Sequence, residues 1–395
     1  MRVTRFPVAY VFAGKGRCSC CYKRWEAPKK PSVPIEAGAA RIPQNTRTFV
    51  LKVEAAPGGA SSPRDWLPVL NRYRAPSHLR SAVELLITAV PFLLLWIAAW
   101  ACLRWSYWLS LAVAVPAAGF LVRLFMIQHD CGHGAFFRQR LANDWTGRVI
   151  SVLTLTPYDH WRRSHAVHHA SSGNLDRRGI GDIATLTVDE YLAAPRLRRI
   201  AYRLYRHPLV MFGLGPAYLF LVQQRFPGGE ALRRWRSWVS PMATNAAIAL
   251  LVLAAMWLVG VQAFLLVHGP IIMLAASIGV WLFYVQHQFE ETFWARATTW
   301  TMPEAALHGS SHYDLPPVLR WLTANIGVHH VHHMCSRIPY YRLPRVLSDH
   351  PQLNDVGRIT LAQSLRCIRF ALWDEKRGRM ISFRQLRTLR SRAAR

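Results

Sequence analysis

Charged and apolar residues are sorted into separate blocks along this chain. From Ser237 to Phe289 there is no Asp, Glu, Lys or Arg, while the stretches on either side are crowded with Arg. A membrane-spanning helix needs about 20 apolar residues, so this block holds two spans if it turns near its middle. His268-Gly269-Pro270 is the expected turn, since Gly is too free and Pro lacks the donor to continue a helix. The two spans are then Thr244–Val267 and Ile271–Phe289. Leu85–Leu103 and Trp105–Val122 are also uncharged, joined around Arg104 and rich in interfacial Trp and Tyr, and they form an earlier hairpin. Leu209–Gln224 is apolar but shorter and carries Gly213, Gly215 and Pro216, which predicts an interfacial or re-entrant segment. The pattern is that of an all-α, multi-pass membrane protein: four transmembrane helices in two hairpins, interfacial helices, and a helical cap on one side.

Composition sharpens this picture. The 395 residues are 52% apolar yet carry a formal charge of +28, which excludes a disordered or collagen-like chain. The Arg residues form no stripe on an ordinary soluble fold, so no nucleic acid partner is expected. Cytoplasmic loops collect Lys and Arg, which puts the segment Arg138–Arg236, the region beyond Glu290 and both termini on the cytoplasmic side of an inner (plasma) membrane. Residues 1–75 are basic, Pro-rich and without sustained periodicity, and are expected to be a loosely ordered extension. Residues 76–350 form the membrane domain and 351–395 a basic cytoplasmic tail. Cys18, Cys20 and Cys21 cluster without the second pair a zinc site needs. There is no P-loop, GxGxxG or GxSxG sequence. Neither the role of the N-terminal extension nor the oligomeric state is legible.

Most of the 17 His fall at four places, all at membrane boundaries on the inferred cytoplasmic side. These are His129-Asp130-Cys131-Gly132-His133, His165-Ala166-Val167-His168-His169, His329-His330-Val331-His332-His333, and His287 near the end of the fourth span. On a helix, residues three and four apart share a face, so each box gathers imidazoles toward one side. The adjacent pair in the second box lets its fan serve two ions. Nine side chains converge on this reading: His129, His133, His165, His168, His169, His287, His329, His332 and His333. A zinc ion takes four ligands, so nine point to two metals with a position left open. Imidazole suits iron, copper, nickel and zinc alike, and number alone does not name the metal. His330 falls outside the spacing. His78, His207, His268 and His350 stand alone, and His160, His308 and His312 are near the boxes but are not expected to be ligands.

The three boxes in this order, flanking a long apolar hairpin, resemble those of the membrane fatty acid desaturases, over roughly residues 75–350. The segments Thr156-Pro-Tyr-Asp-His-Trp-Arg-Arg-Ser-His165, Ser172-Gly-Asn-Leu-Asp-Arg-Arg-Gly179 and Asn325-Ile-Gly-Val-His329 resemble the bacterial and cyanobacterial acyl-lipid group acting at the Δ12 or ω6 position. The resemblance implies a non-haem centre of two Fe held almost wholly by His, with O2 as co-substrate, acting on the acyl chain of a membrane lipid. Acids near the boxes are then expected to orient the ring N–H groups: Asp130, Asp176, Asp182 and Glu290, with Asp159 and Glu291 also close, and Asn325 on a helix face with His329. An apolar tunnel would be walled by residues such as Trp281, Phe283, Tyr284 and Phe289. Acyl-CoA desaturases carry an Asn four residues before the membrane His. Here that position is Phe283, which argues against that group. Phe226-Pro-Gly-Gly229 lacks the His of a fused cytochrome b5 domain, so electrons must come from a separate ferredoxin or a flavin- or cytochrome-type reductase. Two alternatives stand beside this reading: a di-iron hydroxylase of alkanes, fatty acids or carotenoids on the same scaffold, and a His-rich metal transport or storage protein.

Overall fold

The computed structural model describes residues 62–393, so Cys18, Cys20 and Cys21 lie outside the described residues. Among the described residues, four helices are long and apolar enough to cross a membrane: His78–Cys102, Tyr107–His133, Trp235–Val259 and Val261–His287. At 1.5 Å per residue they run about 38–40 Å, against a hydrocarbon core of about 30 Å. The excess is what carries His129, His133 and His287 at the helix ends out of the apolar layer. The second helix sits innermost, with Ala114, Ala117, Ala118 and Leu121 buried, and such small residues let neighbouring backbones approach closely. The first and third helices turn Leu93, Leu94, Ile97, Leu250, Leu253 and Trp257 outward, where lipid replaces a protein partner.

Two features differ from the sequence expectation. The second hairpin turns at Gly260, not at His268-Gly269-Pro270, and Pro270 lies inside the fourth helix. Turning the chain within hydrocarbon would strand several backbone groups without partners, whereas a Pro removes a single donor, so the helix runs through. Gly260 makes the whole connection at φ 87° and ψ 146°, a conformation open to Gly alone. The helices of the first hairpin also extend beyond the uncharged windows and contain Glu84 and Arg123, which pair with each other.

Among the described residues the cap is mostly helical, with five short strands. After the second membrane helix come the helices Arg140–Leu153 and Tyr158–Ser171. The Tyr158 hydroxyl donates to the Cys131 carbonyl at 2.8 Å, fixing the second His box against the first. Leu141, Trp145 and Val149 face outward, as do Leu197, Ile200 and Leu204 of the helix Arg196–Tyr205. Such stripes suit helices lying in the membrane interface. The segment Leu209–Gln224 does not cross; it folds as short helical turns, with Phe212 against Trp281 and Tyr284 of the fourth membrane helix.

The C-terminal region is folded rather than a tail. Arg358–Thr360 pairs in parallel with His312–Asp314, and Phe370–Asp374 lies between Leu186–Thr187 and Arg379–Ser382. Residues 62–75 are also ordered, with Trp66 and Leu70 buried and the Tyr73 hydroxyl donating to Asp349 at 2.7 Å. Single polar residues in both segments anchor them, a signal too sparse for periodicity to register.

Gly260→Ala should lower stability by about 1–3 kcal/mol, because a Cβ is strained at that φ and ψ. Gly279→Ala, in the fourth helix with open space around its Cβ, should be neutral or slightly stabilising. Thermal unfolding of the detergent-solubilised variants checks both, and equal melting temperatures would contradict the strain.

Candidate metal centre

The nine His selected by spacing meet in two adjacent groups. His129, His133, His165, His169 and His332 form one, and His168, His287, His329 and His333 the other; within each, the facing atoms all lie within 4.8 Å of one another. In the first group the Nε2 atoms of His133 and His165 are 3.0 Å apart, those of His165 and His169 3.1 Å, and those of His169 and His332 3.2 Å. In the second, the His287 Nε2 lies 3.2 Å from that of His168 and 3.0 Å from that of His329, which is 3.1 Å from that of His333. The groups touch where the rings of His169 and His333 stack, 4.1 Å between centroids.

Helical spacing explains the division. On the helix Tyr158–Ser171, His165 and His169 are four apart and point to one group, while His168 points to the other. The six-residue helix His329–Met334 repeats this, sending His332 to the first group and His329 with His333 to the second. His330 turns away: its Nε2 donates to the Leu353 carbonyl at 2.9 Å, and its ring lies 5.7 Å from that of His312.

Three of the nine outer ring nitrogens face an acceptor. The Nδ1 of His129 faces Asp130 Oδ1 at 3.2 Å, that of His168 faces Asp182 Oδ1 at 2.6 Å, and that of His287 faces the Gly309 carbonyl at 3.1 Å. An acceptor at Nδ1 keeps the proton there and turns the Nε2 lone pair inward, as a metal ligand requires. Gly181, at φ 69°, lets its loop pass so near His168 that a side chain at this position would put its Cβ 3.2 Å from the His168 Cβ, and this approach puts Asp182 in reach. The Nδ1 of His329 is buried without a partner among the described residues.

The other expected orienting residues lie elsewhere. Asp176 pairs with Arg296 at 3.1 Å and accepts the Ala297 N–H, Glu290 pairs with Arg379, and Asp159 pairs with Arg148. Arg side chains of the surrounding surface engage these carboxylates instead. Asn325, at φ 55°, precedes the helix of His329 rather than sharing its face, and its Nδ2 donates to the Tyr340 carbonyl. Phe283 does reach the site, its ring 5.1 Å from that of His168 and 5.2 Å from that of His287. Spacing did not single out the Gly309 carbonyl, which has no side-chain signal, nor Trp161, whose ring stacks on His165 at 4.5 Å. The aromatic four residues before His165 was the available clue.

The donor set fits metal ions. Imidazole nitrogens at about 2.0–2.1 Å from one ion, at right angles, are about 3 Å apart, which matches the Nε2 spacing. Burial, and next the neighbouring rings, hold His165, His169, His329, His332 and His333 well below the ordinary imidazole value. They are therefore neutral near pH 7 with lone pairs free, the form that binds a cation.

A family model described as fatty acid desaturase matches residues 103–358. A Bacillus subtilis protein named fatty acid desaturase is 48% identical over 315 residues, covering 80% of this chain and 89% of its own. A Synechocystis sn-1 oleoyl-lipid 12-desaturase is 27% identical over 253 residues, 62% of this chain and 67% of the relative. A second Synechocystis relative, an sn-1 acyl-lipid omega-3 desaturase (ferredoxin), is 26% identical over 232 residues, 56% and 62% of the two chains.

The depressed imidazoles give a pH dependence of definite sign. The unfolded chain takes up protons as the pH falls below about 6.5 while the folded one does not, so this stability is full above that value and is lost below it. Chelator-treated protein should melt at a lower temperature at about pH 5.5 than at about pH 7.5. A higher melting temperature at the acid pH would contradict the neutral, buried state of these rings.

Proposed function

The chain belongs to the fatty acid desaturase family and is a membrane oxidoreductase, and we propose that it places a cis double bond at the Δ12/ω6 position of a lipid-bound acyl chain, using two Fe and O2. The observation that carries this reading is the convergence of nine His, six of them buried and three half-buried, into two touching groups at the ends of two membrane helices. His129, His133, His165, His169 and His332 would hold one ion, and His168, His287, His329 and His333 the other. When bound, such a pair supplies the oxidising power to take hydrogen from an unactivated methylene, which no side chain titrating near neutrality can do.

The protein's own contribution is to bind, orient and exclude water. With two ions bound, nine neutral ligands would leave the site strongly cationic; Asp130 and Asp182 would compensate that charge, and they face the rings of His129 and His168. The second and fourth membrane helices both end at the site, so an acyl chain reaches it from the bilayer without crossing water. Phe283, with Ile183, Phe293 and Trp294 beside His287, offers apolar wall on the four-histidine side. A shift of one methylene misplaces the reactive carbon by more than about 1 Å, which positioning arguments show is costly. The lipid 12-desaturase named among the relatives supports the Δ12 assignment.

The histidine side and both termini would face the cytoplasm of a bacterial inner membrane, as the Arg-rich loops favour. Electrons would come from a separate acidic protein, a ferredoxin or a flavin- or cytochrome-type reductase, steered by that positive face. The ferredoxin in one relative's name supports the first of these.

Expression in a host that makes only saturated and monounsaturated lipids should yield acyl chains two hydrogens lighter, with the new bond located by derivatisation and mass spectrometry. A gain of one oxygen would point to a hydroxylase instead. The purified protein should hold about two Fe per chain, and His168→Ala and His332→Ala should each lose at least about tenfold in metal affinity and activity. Full activity in either variant would overturn the ligand assignment.

A further inference from the structure

A second buried charge cluster lies inside the first membrane hairpin. Glu84 and Arg123 pair with each side chain 1% exposed. Their remaining valences are filled: Glu84 also takes Arg80 at 2.7 Å, the Arg123 Nε donates to Thr88 at 3.1 Å, and its Nη1 donates to the Trp321 carbonyl. The guanidinium lies 4.0 Å over the Trp321 ring. Charges at this depth are costly, and well-packed apolar residues commonly hold helices together as well or better than a buried pair. Helix packing alone therefore does not account for the pair.

The cluster is connected to the metal centre. The Tyr340 hydroxyl donates to Glu84 Oε2 at 3.1 Å, and the backbone N–H of the same residue donates to Asp130 Oδ2 at 2.7 Å. The other oxygen of Asp130 faces the Nδ1 of His129. Tyr340 is 1% exposed and its ring lies parallel to that of Phe136, with centroids 6.1 Å apart. A continuous line of contacts thus runs from Arg123 through Glu84, Tyr340 and Asp130 to His129. The four-histidine group has no counterpart, for the second oxygen of Asp182 is buried without a partner among the described residues.

We propose that Glu84, Arg123 and Tyr340 are positioning residues for the five-histidine group: they hold Asp130, and through it His129, from inside the membrane. This rests on the two-ion reading above. The consequence is selective, since loosening the line weakens one ion's site and leaves the other intact.

The test uses the full chain, purified in detergent and loaded anaerobically with ferrous iron, and reads iron per chain and the rate of its loss to a chelator. Wild-type protein should hold about two Fe. In Tyr340→Phe and Glu84→Gln one of the two should leave about tenfold faster while the other keeps its rate. Asp182→Asn should accelerate the opposite ion. If Glu84→Gln does not fold, Tyr340→Phe decides, because it deletes one hydroxyl and keeps the backbone N–H to Asp130. Loss of both ions in step with a fall in melting temperature would overturn the proposal and leave the pair as helix packing. Wild-type release rates in folded Tyr340→Phe would overturn it as well. Wild-type protein that binds no iron would remove the two-ion reading itself, and this inference with it.

Discussion

The organisation depends on one electrostatic constraint: ring nitrogens of nine His, as close as 3.0 Å and wholly or partly out of water, crowd their lone pairs together. Protonating them all would stack like charges in a poorly solvated space, and leaving them bare would set lone pair against lone pair. A cation bound among them would resolve both at once. The four elements that supply the rings come from distant parts of the chain, and separate contacts hold three of them. Tyr158 ties the second box to the first, Asp182 and Gly309 orient rings of the four-histidine group, and Asp130 orients His129.

The ligand boxes were legible because their information is local. A spacing of i, i+3 and i+4 puts imidazoles on one helix face whatever the tertiary structure, so the groups around His165 and His329 read directly as convergent sets. The membrane spans were legible in number for the same reason, as blocks without charge. Their limits were not: a charge such as Glu84 ends a hydropathy window, yet here it is paired across the hairpin with Arg123. Pro270 misled because its helix-breaking rule is set by water, and hydrocarbon alters the alternatives available to the backbone.

The surroundings of the ligands were read less well. Of the acids near the boxes, Asp130 and Asp182 face ring nitrogens, while Asp176 and Glu290 are claimed by Arg296 and Arg379. Proximity in sequence cannot separate these cases in a chain so rich in Arg. The Gly309 carbonyl belongs to backbone geometry and leaves no mark in composition. The folded C-terminal region went unseen because short parallel pairings such as His312–Asp314 with Arg358–Thr360 join segments whose own patterns are too brief to register. These strands hold the stretch from Ser310 to His312 against the fourth membrane helix, where Ser311 N–H donates to the Gln286 carbonyl.

The single-residue connection at Gly260 has its own consequence, shared with the tight link between the first two membrane helices at residues 103–106. On the side away from the histidines the described residues offer only two short bends. They present almost no surface there for a regulator to grasp, a sugar to decorate or a protease to cut. For the described residues, what is left for contact with other molecules is the lipid-facing sides and the face that carries the histidines.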